Sequence, residues 1–151
     1  EIELESDLQT DCASLWKPVE ALIDAGVKIH ALRDATRGGL SAVLNEWAST
    51  SHVCIEVDEA KIPVAKEVRG VCELLGFEPY EFANEGTMVI ALPKAEAQRA
   101  LDILKQFDET AKVAMIGTVS DRFADKVVLH TPWGSERFLE PPKGELLPRI
   151  C

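Results

Sequence analysis

Apolar residues in this chain switch repeatedly between helical and strand spacing, and that alternation limits its fold more than any single motif does. Leu15, Val19, Leu22 and Ile23 form a helical stripe, with Asp11 placed to cap its start and Gly26 to stop it. Val27 to Leu32 alternates like a strand, and Leu40, Val43, Leu44 and Trp47 make a second helix directly after Gly38-Gly39. His52 to Val57 follows as a strand. Pro63 fits the first turn of a third helix, with Val64, Val68, Val71 and Leu75 facing inward and Gly76 ending it. Met88 to Leu92 is a buried strand after the polar turn Ala83-Asn84-Glu85-Gly86. A fourth helix spans about Lys94 to Phe107, burying Ala97, Leu101 and Leu104. Strands at Ala114 to Val119 and Lys126 to His130, and a short one near Arg137, complete the pattern. The expected class is α+β: a mixed β-sheet covered by helices in a single domain.

Charge then removes two classes of partner. Acidic residues outnumber basic ones 26 to 16, giving a net charge of -10, so the chain lacks the clustered cations that hold a phosphate backbone or an anionic membrane surface. No apolar run is long enough to span a bilayer, and no basic segment followed by an apolar run marks a secretory signal. The start at Glu1, in a polar segment, reads as a cut beginning of a longer protein. The cysteines, at 12, 54, 72 and 151, contain no CxxC pair and share no metal-like spacing with His30, His52 and His130. Cys54 and Cys72 sit in apolar surroundings as core residues, and the three histidines default to core or surface roles. A chain of 151 residues with a good core needs no disulfide, which favours a reducing, cytoplasmic compartment.

Three segments carry chemistry. Asp34-Ala35-Thr36-Arg37-Gly38-Gly39 lies between a strand and a helix. Such a junction leaves free backbone N–H groups that suit a phosphate. It serves equally as a tight turn, with Asp34 or Thr36 capping the helix and Arg37 on the surface. Asn84-Glu85-Gly86 offers a carboxylate as general base beside an orienting amide, and equally a hairpin turn. From Glu140 onward there are three prolines, one glycine and no periodicity, so the segment reads as a flexible tail ending in Cys151. From Pro141 it could extend roughly 35 Å. A terminal thiol on such a tail is unhindered and nucleophilic as the thiolate; a chance terminal residue is the bland alternative.

Taken in order, Arg33-Asp34-Ala35-Thr36-Arg37-Gly38-Gly39-Leu40, Leu44-Asn45-Glu46, Ile62-Pro63-Val64, Cys72-Glu73-Leu74-Leu75-Gly76, Ala83-Asn84-Glu85-Gly86 and the ending Pro148-Arg149-Ile150-Cys151 resemble the C-terminal half of the HypE family of hydrogenase expression/formation proteins. The resemblance implies a domain similar to the C-terminal domains of aminoimidazole ribonucleotide synthetase and selenophosphate synthetase. It implies a synthetase-like domain over 1–139, a tail over 140–151 and an N-terminal ATP-binding domain absent from this chain. The implied activity is ATP-dependent: a carbamoyl group received on Cys151 from the carbamoyltransferase HypF is dehydrated to a thiocyanate, whose cyanide passes to a HypC–HypD complex for the iron of a [NiFe] hydrogenase. By the same resemblance Glu85, with Asn84 beside it, is the base or proton-positioning group. Asp34, Thr36, Arg37, Gly38 and Gly39 line the nucleotide and tail channel, no residue here is a metal ligand, and ATP and Mg²⁺ are bound mainly by the absent domain. The full-length protein is expected to be a homodimer, and the fragment alone inactive. Two other functions fit the sequence: a docking module for the carbamoyltransferase without activity of its own, or a selenophosphate-synthetase-like enzyme with no need for Cys151.

Overall fold

The structure, a computed structural model, describes residues 10–142. In chain order it contains α1 (Trp16–Asp24), β1 (Ala31–Ala35), α2 (Gly39–Ser51), β2 (Cys54–Asp58), α3 (Lys66–Leu75), β3 (Asn84–Ala91), α4 (Ala97–Leu104), β4 (Gly117–Ser120), β5 (Lys126–His130) and β6 (Glu136–Phe138). The α+β class stands, and the strands divide between two sheets. β1 and β3 form an antiparallel ribbon; the other four are ordered β4-β2-β5-β6, with β2 and β5 parallel and the other pairs antiparallel.

Two cores account for this division. One gathers around α2, where Val43, Leu44 and Ala48 meet Ile55, Val57, Val127 and Leu129 of the larger sheet, Tyr80, and Val89 of the ribbon. The other joins Leu22 of α1 to Ala100 and Leu104 of α4, with Met88 and Ile90 packed against it. Side chains alternate along a strand, so Val89 and its neighbours Met88 and Ile90 serve opposite cores. A ribbon apolar on both faces needs an unbroken apolar run, which is what Met88 to Leu92 supplies. Cys54 and Cys72 are buried free thiols, as their apolar neighbours suggest, and burial pushes the Cys72 thiol up.

Several local expectations fail. The first strand is Ala31–Ala35 and not Val27 to Leu32, and α4 spans only Ala97–Leu104, burying Ala100 with Leu104 in place of the expected Ala97 and Leu101. Pro63 does not open the third helix: the short turn Glu59–Lys61, capped by the Asp58 carboxylate, ends at Ile62, and the chain stays extended through Ala65, the N-cap of α3. Ile62 is extended because a following proline disfavours the helical region. Leu75 does not face inward; it is 46 % exposed, and α3 buries Cys72 instead. The segment Asn84-Glu85-Gly86 is part of β3, not a turn ahead of it.

On the outer face of the larger sheet, Glu56 accepts from the Ser120 hydroxyl at 2.6 Å and lies 3.2 Å from Nε2 of His130, while Arg122 grips Glu136 at 2.6 and 3.0 Å. The Ser120 hydroxyl, then His130 and Arg122, hold Glu56 below its ordinary value of 4.5; Arg122 does the same for Glu136. A lowered folded value makes the stabilisation complete above the ordinary value and lost as pH falls through the folded one. Glu136→Gln should therefore flatten the acid limb: between about pH 6 and about pH 3 its thermal midpoint should fall less than the parent's. An identical fall would show that Glu136 contributes nothing to acid sensitivity.

Candidate active site

The strand–helix junction leaves β1 at buried Ala35, turns through Thr36 and Arg37, and enters α2 with Gly38 at φ +64° and Gly39 at φ +62°. Side chains other than glycine rarely adopt that region. Gly39 also has no room for one, since a Cβ there would lie 2.4 Å from the Phe82 carbonyl oxygen and 2.7 Å from that of Tyr80. The N-cap is Gly38, with no side-chain hydrogen bond, so neither Asp34 nor Thr36 caps the helix. Among the described residues no side chain caps the first turn of α2, which leaves its N–H groups able to face an anion. Arg33 is committed to Glu46 at 2.7 Å, whereas Arg37 is exposed on the rim of a shallow depression shared with Asp34 and Thr36.

Pairing between β1 and β3 brings the second segment to the first. The register runs regularly from Ala31 opposite Ala91 to Asp34 opposite Met88, then jumps, so that Ala35 faces Asn84. Glu85, Gly86 and Thr87 are left as extra residues on β3, a bulge of the kind that re-aims a side chain. Bulged backbone N–H groups need other acceptors. The Asp11 carboxylate takes the Glu85 N–H at 3.1 Å, and Oδ1 of Asn84 takes the Gly86 N–H at 3.2 Å and the Thr87 hydroxyl at 2.6 Å. Asp11 is therefore not the cap of α1, whose N-cap is Leu15. It reaches the bulge because Gly86 lets its backbone come close; a Cβ on Gly86 would lie 2.0 Å from the Asp11 carbonyl oxygen. Asn84 spends its amide oxygen on shaping the bulge, and exposed Glu85 is the carboxylate the bulge presents.

Pro142 closes the third side: its ring carbon Cγ would lie 2.8 Å from a Cβ on Gly38. The turn, the bulge and the start of the C-terminal segment thus adjoin one another. Family comparison gives this patch its context. Residues 2–130 match the family described as AIR synthase related protein, C-terminal domain. The chain belongs to that family. Within it, the AIR synthase-related domain here is 39 % identical to the carbamoyl dehydratase HypE of Rhodobacter capsulatus over 151 residues, covering 100 % of this chain and 44 % of that protein. It is 44 % identical to the carbamoyl dehydratase HypE of Escherichia coli K12, again over 100 % of this chain and 44 % of that protein. A crystal structure of the hydrogenase maturation protein HypE in complex with ATP superposes with a TM-score of 0.89 at 38 % identity, covering 99 % of this chain and 46 % of that one. HypE in a HypE–HypF complex superposes with a TM-score of 0.87 at 33 % identity, covering 93 % and 46 %. The chain spans less than half the length of these curated relatives.

The resemblance to the C-terminal domain of HypE is therefore real, and the AIR synthase-related domain brings Asp34, Thr36, Arg37, Gly38, Gly39, Asn84 and Glu85 together around one junction. Cys151 lies outside the described residues. His52 pairs with Asp125 at 2.8 Å and His130 with Glu56, both on other parts of the surface. Among the described residues no group of three or more His, Cys, Asp or Glu is placed to hold a metal ion. Sequence reasoning missed Asp11, which looked like a helix cap. No helix among the described residues is long and apolar enough to cross a membrane.

Proposed function

We propose that this chain is the C-terminal part of a [NiFe]-hydrogenase maturation enzyme, one that carries a carbamoyl group on Cys151 and dehydrates it to a thiocyanate. The observation that carries this reading is the junction itself: an uncapped helix start, an exposed carboxylate on a bulge and the root of the C-terminal segment adjoin, as a carrier reaction requires. The relatives support it, because proteins named carbamoyl dehydratase HypE align along the full chain. A HypE structure holding ATP supports the nucleotide, and a HypE–HypF complex supports HypF as the carbamoyl donor.

The chemistry divides into two proton losses and one phosphoryl transfer. An amide oxygen is a poor leaving group, so ATP supplies the phosphoryl group that turns it into one. As the carbamoyl oxygen takes the phosphoryl group, the nitrogen loses one proton and a C=N bond forms. Loss of the second N–H proton, with departure of phosphate from carbon, gives S–C≡N, ADP and inorganic phosphate. Glu85 is the base for these N–H protons. Asn84 keeps the bulge in shape around it, and Arg37 with the first-turn N–H groups of α2 faces the anionic side. Residues that hold Mg²⁺ belong to the part of the enzyme outside this chain, which also provides most nucleotide contacts and the homodimer interface. The cyanide acceptor in this reading is a HypC–HypD complex, and the compartment is the cytoplasm.

The test uses the full-length protein with HypF, carbamoyl phosphate and ATP, followed by mass spectrometry of the C-terminal peptide. Cys151 should gain one carbamoyl group and then lose one water in an ATP-dependent step; Cys151→Ala should show neither. ATP consumption with an unmodified Cys151 would mean that the chain's end is not the carrier.

A further inference from the structure

Helix α2 directs two side chains onto the backbone that leads to the C-terminus. Ser41, fully buried, donates from Oγ to the Glu140 carbonyl at 2.9 Å. Asn45, one helical turn on, donates from Nδ2 to the Leu139 carbonyl at 3.0 Å and to the Ser41 carbonyl at 2.9 Å. The Leu139 side chain is buried, and its N–H bonds to the Val127 carbonyl at 2.9 Å. Beyond these contacts come Pro141 and Pro142, which have no N–H and cannot extend the sheet pairing. Prolines also stiffen the backbone, and the second packs against Gly38 at the turn. The backbone at Leu139 and Glu140 is therefore held to α2 through its carbonyl acceptors.

We infer that Asn45 and Ser41 form a clamp at the root of the C-terminal segment, and so are positioning residues that set where Cys151 begins its search. This rests on the reading of Cys151 as the carrier. Nine residues follow Pro142, the last of them Cys151. Nine residues reach at most about 30 Å, so the places Cys151 can reach are set by where the backbone stands at Pro142. A displacement of about 1 Å at a reacting group can cost about a hundredfold in rate. The clamp also explains two residue choices that neither catalysis nor core packing requires: an amide on the inner side of α2, and a buried hydroxyl with no partner on its own helix.

The experiment uses full-length protein carbamoylated on Cys151 beforehand. It compares the parent with Asn45→Asp, which keeps the shape but sets a carboxylate against two carbonyls. Single-turnover dehydration at Cys151 should slow about tenfold or more, while ATP affinity measured by calorimetry stays within about twofold of the parent. Pro142→Gly, which removes the ring packed against Gly38, should slow the same step by a smaller factor. It carries the test together with Ser41→Ala if Asn45→Asp fails to fold. Parallel loss of ATP affinity and dehydration would make Asn45 a structural residue of the site and overturn the clamp. Unchanged dehydration in the folded variants would overturn it as well. If the parent carbamoylated at Cys151 does not dehydrate at all, the carrier reading fails, and the clamp's role fails with it.

Discussion

Glu85→Gln in the full-length protein should leave carbamoylation of Cys151 intact and slow its ATP-dependent dehydration by about 10²- to 10⁴-fold, the usual worth of a positioned general base. The substitution isolates chemistry from structure. What anchors residue 85 is its main-chain N–H, bound by the Asp11 carboxylate at 3.1 Å, and a glutamine keeps that bond. Its side chain is exposed, so losing the charge uncovers no buried partner. Asn84→Ala provides the contrast. Oδ1 of Asn84 holds both the Gly86 N–H and the Thr87 hydroxyl, so its loss should loosen the bulge and lower thermal stability together with activity. The measurement is single-turnover conversion of the carbamoylated peptide, read by mass. Dehydration by Glu85→Gln within a few-fold of the parent would remove Glu85 from the role of base.

Local periodicity carried most of the architecture. The stripe on α2 and the apolar run of β3 are visible in the sequence because each is repeated over many residues and serves a core. Long-range pairing is what spacing does not encode. Nothing near Asn84 marks it as a neighbour of Ala35, and that single pairing turns an apparent loop into a bulged strand and joins two motifs into one site. Asp11 was misread for a similar reason: a carboxylate just ahead of a helical stripe has the look of a cap, and its real partner lies 74 residues away. Pro63 shows the limit of propensity, since a residue suited to a first helical turn is equally at ease in the extended run before Ala65. The glycines at 38 and 39 were legible as special, but only the packing separates their reasons. One yields to the proline ring at the root of the C-terminal segment, and the other to the carbonyls ahead of the bulge.

Gly39→Ala should be among the most destabilising single-methyl changes in this domain. Two costs combine there. Holding an L residue at φ +62° costs roughly 1–2 kcal/mol. Forcing a Cβ to within 2.4 Å of the Phe82 carbonyl oxygen, rigid backbone that cannot swing aside, adds overpacking strain. Such strain typically costs about 1–3 kcal/mol. Gly26→Ala separates the two costs, because Gly26 has φ +68° but nothing within 4 Å of the added carbon. It should show the conformational cost alone. Gly86→Ala supplies the converse, a residue without the left-handed requirement whose Cβ would lie 2.0 Å from the Asp11 carbonyl oxygen. It should expel Asp11 from the bulge and release the Glu85 N–H. Denaturant unfolding of the full-length protein should therefore rank the midpoints as parent, then Gly26→Ala, then Gly39→Ala lowest, with Gly86→Ala losing dehydration as well as stability. If Gly39→Ala falls no further than Gly26→Ala, the backbone of the turn is not pressed against Tyr80 and Phe82, and that contact does not join the helix start to the bulge.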